Sequence, residues 1–292
     1  TTFMTGKNPG RHGVFWFYEH APDSYALRFL NGSDIADARF WEIASDAGRQ
    51  VGIINVPMTY PATPLHGFLI AGMDAPDESS PGFTYPPKLY KVLRRLGGYR
   101  IDTNILGYAR SGRLRQAIAA TERVIAWRER AADYLMRTRS WDLFVVVFTA
   151  LDRVQHAFWQ EPGPPASSAG SIVRRFYERL DQAIGRLCDT AGEETTVVIV
   201  SDHGMGFNPQ SNLYLNPWLE SLGLFRPARG TARSRARAAL RRVSAWADGL
   251  LSKPLRRRIL RWLPGGRAGL VGQLHRAPCD WAHTRAYADY IQ

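Results

Sequence analysis

A chain of 292 residues is long enough for one large α/β domain with an insertion, or for two small domains. With 45% hydrophobic and 22% charged residues it reads as globular, which excludes a disordered or fibrous chain, and no apolar run is long enough to mark a membrane-spanning helix. The net charge of +12 is concentrated in one place: residues 226–276 hold thirteen Arg and one Lys against Asp248 alone, a local +13 that leaves −1 for the remainder.

The first strong element is Val51–Val56, a continuous Val/Ile-rich run. Leu143–Phe148 and Thr196–Val200 have the same character. Apolar runs without alternation predict strands covered on both faces, as in a mainly parallel sheet. Between them, residues 113–139 place Leu114, Ile118, Ile125, Ala132 and Leu135 near helical spacing. Ile172, Phe176, Leu180, Ile184 and Leu187 form a second, cleaner stripe. Strands alternating with helices predict an α/β fold, a three-layer core around a mainly parallel central sheet.

The basic segment follows. Residues 233–246 and 253–262 predict two amphipathic helices, separated by Gly249 and ended by Leu263-Pro264-Gly265-Gly266. We read 223–276 as a basic helical insertion or cap, and 1–222 with 277–292 as the core. The chain returns to a strand-like run at Thr284–Ala288. Lys is rare and Arg abundant throughout, a skew that base composition produces, so nucleic acid is not an expected partner. A basic amphipathic helix can rest on an anionic membrane, and 226–276 is the segment suited to such peripheral contact. Cys188 and Cys279 are far apart and show no CxxC spacing, which argues against a disulfide framework and a thiolate metal site. The sequence names no compartment; isolated thiols weigh towards a reducing one such as the cytoplasm.

Ligands of open α/β sheets bind beyond the carboxyl ends of the strands, and two predicted strands run directly into acid and histidine groups. Leu143–Phe148 leads to Thr149-Ala150-Leu151-Asp152-Arg153-Val154-Gln155-His156. On a helical turn Asp152 and His156 stand at i and i+4, on one face. Thr196–Val200 leads to Ser201-Asp202-His203-Gly204-Met205-Gly206, where a turn with two glycines lets both side chains face one point. Oxygen and nitrogen donors without sulfur suit Zn²⁺ in a catalytic site, or Mn²⁺. Taken singly, Asp-x-x-x-His is most often a surface pair and Asp-His-Gly a helix cap; their joint placement after two apolar strands points to a two-metal hydrolase.

The run Thr2-Phe3-Met4-Thr5-Gly6-Lys7-Asn8-Pro9-Gly10-Arg11-His12-Gly13-Val14-Phe15 resembles the segment after the nucleophile in the type I phosphodiesterase/nucleotide pyrophosphatase family of the alkaline phosphatase superfamily. Phe40–Ala44, Val51–Pro61 and Gly67–Met73 resemble its predicted phosphohydrolase/phosphomutase members, and Leu151–His156 with Ser201–Gly206 match its metal motifs. The resemblance implies two Zn²⁺ ions, one on Asp152 and His156 and the other on Asp202 and His203. It implies hydrolysis of a small phosphate mono- or diester through a Thr or Ser phospho-enzyme. It also places the nucleophile about five residues before Thr1, so that the chain is expected to be truncated at both ends and inactive alone. Thr1, Thr2 and Thr5 then read as a helix start, and His12 as a structural residue before Gly13. A late family histidine has no counterpart beyond Gln292, with His283 as the remaining substitute. Phe17 stands where nucleotide pyrophosphatases carry a phosphate-binding Asn, which disfavours nucleotide substrates. A phosphomutase or phospho-group transferase is the alternative within the superfamily. A catalytically dead relative binding anionic lipid or nucleic acid through the basic segment is the alternative outside it.

Overall fold

The computed structural model describes residues 1–20, 27–159, 168–206, 215–228 and 279–288. In chain order its elements are α1 (Thr2–Thr5), α2 (Pro9–His12), β1 (Tyr18–His20), β2 (Leu27–Phe29), a 3₁₀ turn at Gly32–Asp34, α3 (Phe40–Asp46), β3 (Val51–Ile54), β4 (Gly67–Ile70) and β5 (Thr84–Tyr85). They continue with α4 (Leu89–Arg95), α5 (Ile105–Arg110), α6 (Leu114–Thr138), β6 (Leu143–Val146), α7 (Ala150–Phe158), α8 (Ser168–Ala191) and α9 (Leu215–Ser221). The chain divides into two units, Thr1–Phe17 with Leu30–Asn208, and Tyr18–Phe29 with Pro209–Gln292.

The first unit is built on a sheet of order β5-β4-β3-β6, in which β3 pairs in parallel with β4 and β6 while β5 closes the far edge antiparallel. All four residues of β3 are buried. Successive side chains of a strand point to opposite faces, so burial of every one requires cover on both. This is the layered α/β arrangement that the apolar runs predict. Gly52 shows how tightly the cover fits. Its register partners are Phe68 and Phe144, whose rings stand edge to face at 5.9 Å across it. A Cβ at Gly52 would meet them at 2.5 and 2.9 Å.

Trp41, Ile53, Ile54, Leu69, Ile70 and Leu135 are among the residues of the main core. Ile105, Ala117, Ile125, Val154, Phe176 and Ala183 gather α5, α6, α7 and α8 into a second cluster. The predicted helical stripes are present, with one difference on α6. Arg128 lies fully buried within its apolar face. Sequence periodicity has no means of marking a buried arginine.

Beyond β3 the chain turns sharply at Asn55, whose φ of 61° lies in the left-handed region that Asn tolerates better than most residues. Its Nδ2 donates to the Val147 carbonyl at 3.2 Å, tying the carboxyl ends of β3 and β6 together. These are the ends from which the candidate site is built.

Two strand expectations are corrected. Thr196–Val200 is not a strand: among the described residues no backbone hydrogen bond reaches it, and Val198 and Ile199 are 74% and 72% exposed. Apolar β-branched residues favour a strand only where a neighbour takes up the ladder. Thr284–Ala288, in the second unit, is also irregular. Arg285 and Ala286 both donate to the Leu224 carbonyl, and the Asn216 side chain bonds both the N–H and the C=O of Ala288. A side-chain amide thereby occupies the groups that a neighbouring strand would need. The two predicted helices at 233–246 and 253–262 lie outside the described residues. Among the described residues no helix is long and apolar enough to cross a membrane.

Candidate metal centre

β6 ends at Val146, and α7 starts four residues later with Thr149 as its N-cap. Asp152 therefore falls in the first turn and His156 one turn on, the spacing that lets their side chains meet. Asp152 Oδ1 lies 3.3 Å from His156 Nε2. The segment 201–206 has no regular structure and brings His203 Nε2 to 3.8 Å from the same oxygen. Asp202 is drawn in least. Its Oδ2 is 3.9 Å from His203 Nε2, and its side chain is 89% exposed. The four residues singled out from sequence thus share one locality within the first unit, centred on Asp152.

His203 Nδ1 lies 2.8 Å from the Gly204 carbonyl oxygen. A carbonyl only accepts, so Nδ1 carries a proton in this contact. In the neutral ring that leaves the lone pair on Nε2, the nitrogen that faces Asp152. The Gly204 carbonyl, then the charge of Asp202, raises the His203 pKa above its ordinary value; burial opposes this, and the charge of Asp152 adds least.

The donor atoms can be tested against a metal ion. Ligands about 2.0–2.2 Å from a tetrahedral zinc stand about 3.3–3.6 Å from one another. The separations of 3.3 and 3.8 Å about Asp152 Oδ1 are close to that spacing. The chemistry of the set also agrees, since it offers carboxylate and imidazole without sulfur. The donors are not yet gathered about one point: among the described residues no group of three or more His, Cys, Asp and Glu is closed enough to hold an ion. The residues suit a metal by donor type, and Asp202 stands farthest from the rest.

Asp102 and Arg153 also belong to this locality, although sequence reasoning missed them. Arg153 Nε donates to Asp102 Oδ2 at 2.7 Å, and its Nη1 stands 3.4 Å from Asp152 Oδ2. Arg153 sits inside the Asp-x-x-x-His run, which was the available signal; Asp102, 51 residues earlier, had none.

Two other histidines have partners of their own. His12 is 1% exposed. Its Nδ1 accepts from the Val14 N–H at 3.2 Å, so Nε2 donates to Thr2 Oγ1, also at 3.2 Å. Gly13 follows at φ 79°, and the structural reading of His12 stands. Thr1 is the N-cap of α1, as a helix start requires. His283 belongs to the second unit, where its Nδ1 pairs with Asp280 Oδ2 at 2.8 Å. A groove of about 520 Å³ between α6 and α8 lies along the ion pairs that join Glu129 to Arg179 and Arg186, and none of the four cluster residues lines it.

The family model of type I phosphodiesterase/nucleotide pyrophosphatase matches residues 1–268. Members of that family are generally metal-dependent. No protein among the curated sequences matches the chain. Two solved structures are similar to it, both of phosphonoacetate hydrolase from Sinorhizobium meliloti, one in complex with phosphonoacetate and one with phosphonoformate. Each is 13% identical and covers 62% of this chain, with TM-scores of 0.37 and 0.34. The chain spans 41% of the length of those structures.

Proposed function

The chain belongs to the type I phosphodiesterase/nucleotide pyrophosphatase family, and we propose that it is a two-zinc phosphohydrolase acting on small phosphate mono- or diesters. One observation carries the reading. A single carboxylate oxygen, Asp152 Oδ1, stands within 3.8 Å of imidazole nitrogens from two separate segments, just beyond the carboxyl end of a parallel strand. Ligands of open α/β sheets bind at this end, and carboxylate with imidazole is a donor set that suits a catalytic metal.

In this reading Asp152 and His156 hold one ion, and Asp202 and His203 the other, with Mn²⁺ the alternative metal for the same donors. Two ions supply charge stabilisation at the phosphoryl oxygens and lower the pKa of an attacking hydroxyl. The chain's own residues do the positioning. α7 fixes Asp152 and His156 in one register, and the Gly204 carbonyl fixes the orientation of the His203 ring. The partial exposure of Asp152, His156 and His203 leaves room for an ester to approach. The hydroxyl that attacks would be that of a Thr or Ser: its oxygen bonds phosphorus as the ester's alcohol leaves, and water then displaces that oxygen, releasing the phosphate product and restoring the hydroxyl.

Dialysis against zinc followed by elemental analysis tests the assignment. The unmodified chain is expected to retain zinc, and Asp202→Ala and His156→Ala to retain less. Equal zinc in all three proteins would remove the site. On a protein extended at both ends, comparing bis(p-nitrophenyl) phosphate with p-nitrophenyl phosphate, in zinc and in manganese, then separates a diesterase from a monoesterase.

A further inference from the structure

The Asp152 carboxylate is divided between two neighbourhoods. Oδ1 faces His156 and His203, while Oδ2 faces Arg153 Nη1 at 3.4 Å. Arg153 is the next residue in the chain, and a guanidinium beside a carboxylate favours a two-pronged grip on both oxygens. That grip would occupy the oxygen that the cluster needs. No such two-pronged contact is present here: Arg153 Nε donates to Asp102 Oδ2 at 2.7 Å, and that bond sets where the guanidinium lies, so that it meets Asp152 through Nη1 at Oδ2.

Asp102 is itself held firmly. Its Oδ1 accepts the Thr103 N–H at 2.7 Å. The preceding residue, Ile101, donates its N–H to Glu78 Oε1 at 3.0 Å. The carbonyls of Arg100 and Ile101 accept from Arg128 Nη2, and Arg128 Nη1 reaches Thr149 Oγ1 at 3.4 Å. Arg128 is 0% exposed, and its recorded partners are neutral oxygens: Tyr99 OH, two carbonyls and the Thr149 hydroxyl. A charge so buried is retained at a cost in stability and needs every donor satisfied. Those donors join the loop that carries Asp102 to the N-cap of the helix that carries Asp152.

We infer that Asp102 is a positioning residue for the metal centre: by holding Arg153, it leaves Oδ1 of Asp152 free for the cluster and confines the guanidinium to Oδ2. The inference rests on the metal reading proposed above. It requires that removing Asp102 do more than loosen a loop. Arg153, released, should close on both oxygens of Asp152 and compete with the cation.

The test is zinc affinity, measured by competition with a chromogenic chelator on the full 292-residue chain and its variants, with circular dichroism to confirm folding. Asp102→Ala is expected to bind zinc roughly ten- to a hundred-fold more weakly, the usual range for loss of an outer partner of a metal ligand. Asp102→Ala combined with Arg153→Ala is expected to recover several-fold of that loss, since the competing cation is gone. A purely structural role for Asp102 predicts the opposite order, with the double variant no better than Asp102→Ala. That order, or unchanged affinity in Asp102→Ala, overturns the inference. If Asp102→Ala does not fold, Asp102→Asn is read in its place; it keeps an acceptor for the Thr103 N–H and removes the charge that holds Arg153. Asp152→Ala separates the two claims. Zinc lost in Asp152→Ala but not in the Asp102 variants leaves the metal centre standing and removes this inference alone, whereas zinc unaffected by Asp152→Ala removes both.

Discussion

At Asp152 one carboxylate oxygen meets two imidazole nitrogens, so the proton count on those rings decides what the cluster can hold. The titration of His203 departs from the ordinary imidazole value of 6.5, and the direction is upward. The cause is first the Gly204 carbonyl, then the charges of Asp202 and Asp152. In the metal-free protein, a ¹H–¹⁵N NMR titration is therefore expected to place His203 above 6.5. A raised folded-state pKa means that the charged ring stabilises the fold fully below the unfolded value, and that this contribution fades as pH rises through the folded value. Asp202→Asn removes one of the charges and should lower the midpoint. An unmoved midpoint would show that Asp202 does not act on this ring. Because zinc displaces a proton from the same nitrogen, metal uptake should release protons most strongly on the acid side of that midpoint.

Among the elements, β3 decides where the site can form. It lies between β4 and β6, and its Asn55 ties its carboxyl end to Val147. The two aromatic rings that close over Gly52 leave no room for a methyl group. Gly52→Ala is therefore expected to destabilise the first unit by about 1–3 kcal/mol, the usual cost of overpacking a filled core. Urea denaturation should register this as a lower midpoint with an unchanged slope. Phe144→Leu, which withdraws one ring, should return part of the loss when combined with Gly52→Ala. Additive losses would mean that the ring contact is not the cause.

Across the whole molecule, the unpaired run at Thr196–Val200 matters most. Val197, Val198, Ile199 and Val200 are each at least 50% exposed, and β6 is the end strand of its sheet among the described residues. Consecutive exposed β-branched residues and an unprotected sheet edge are both templates for association. Light scattering on the chain is expected to show self-association that rises with concentration, and Val198→Lys with Ile199→Lys should suppress it. Scattering as strong in the double variant would place the sticky surface elsewhere. This run also marks the limit of what local sequence reveals. Its composition reads as a buried strand, yet burial belongs to the neighbours and not to the run.

The amino-acid sequence by itself determined the alternation of apolar strands with amphipathic helices, and hence the layered α/β fold. It also determined that Asp152 and His156 follow a strand. Both are local properties: hydrophobic period fixes secondary structure, and an i, i+4 spacing fixes which side chains share a helix face. Only the tertiary structure decided that His203 and His156 face the same oxygen of Asp152, that Asp202 stands apart from it, and that Asp102 holds Arg153 from 51 residues away. It likewise decided that α6 buries Arg128 in an apolar face and that Asn216 takes the backbone groups of Ala288. Each of these depends on a contact between distant segments, whose energy is settled by packing and by the pairing of buried polar groups. No window of sequence contains both partners.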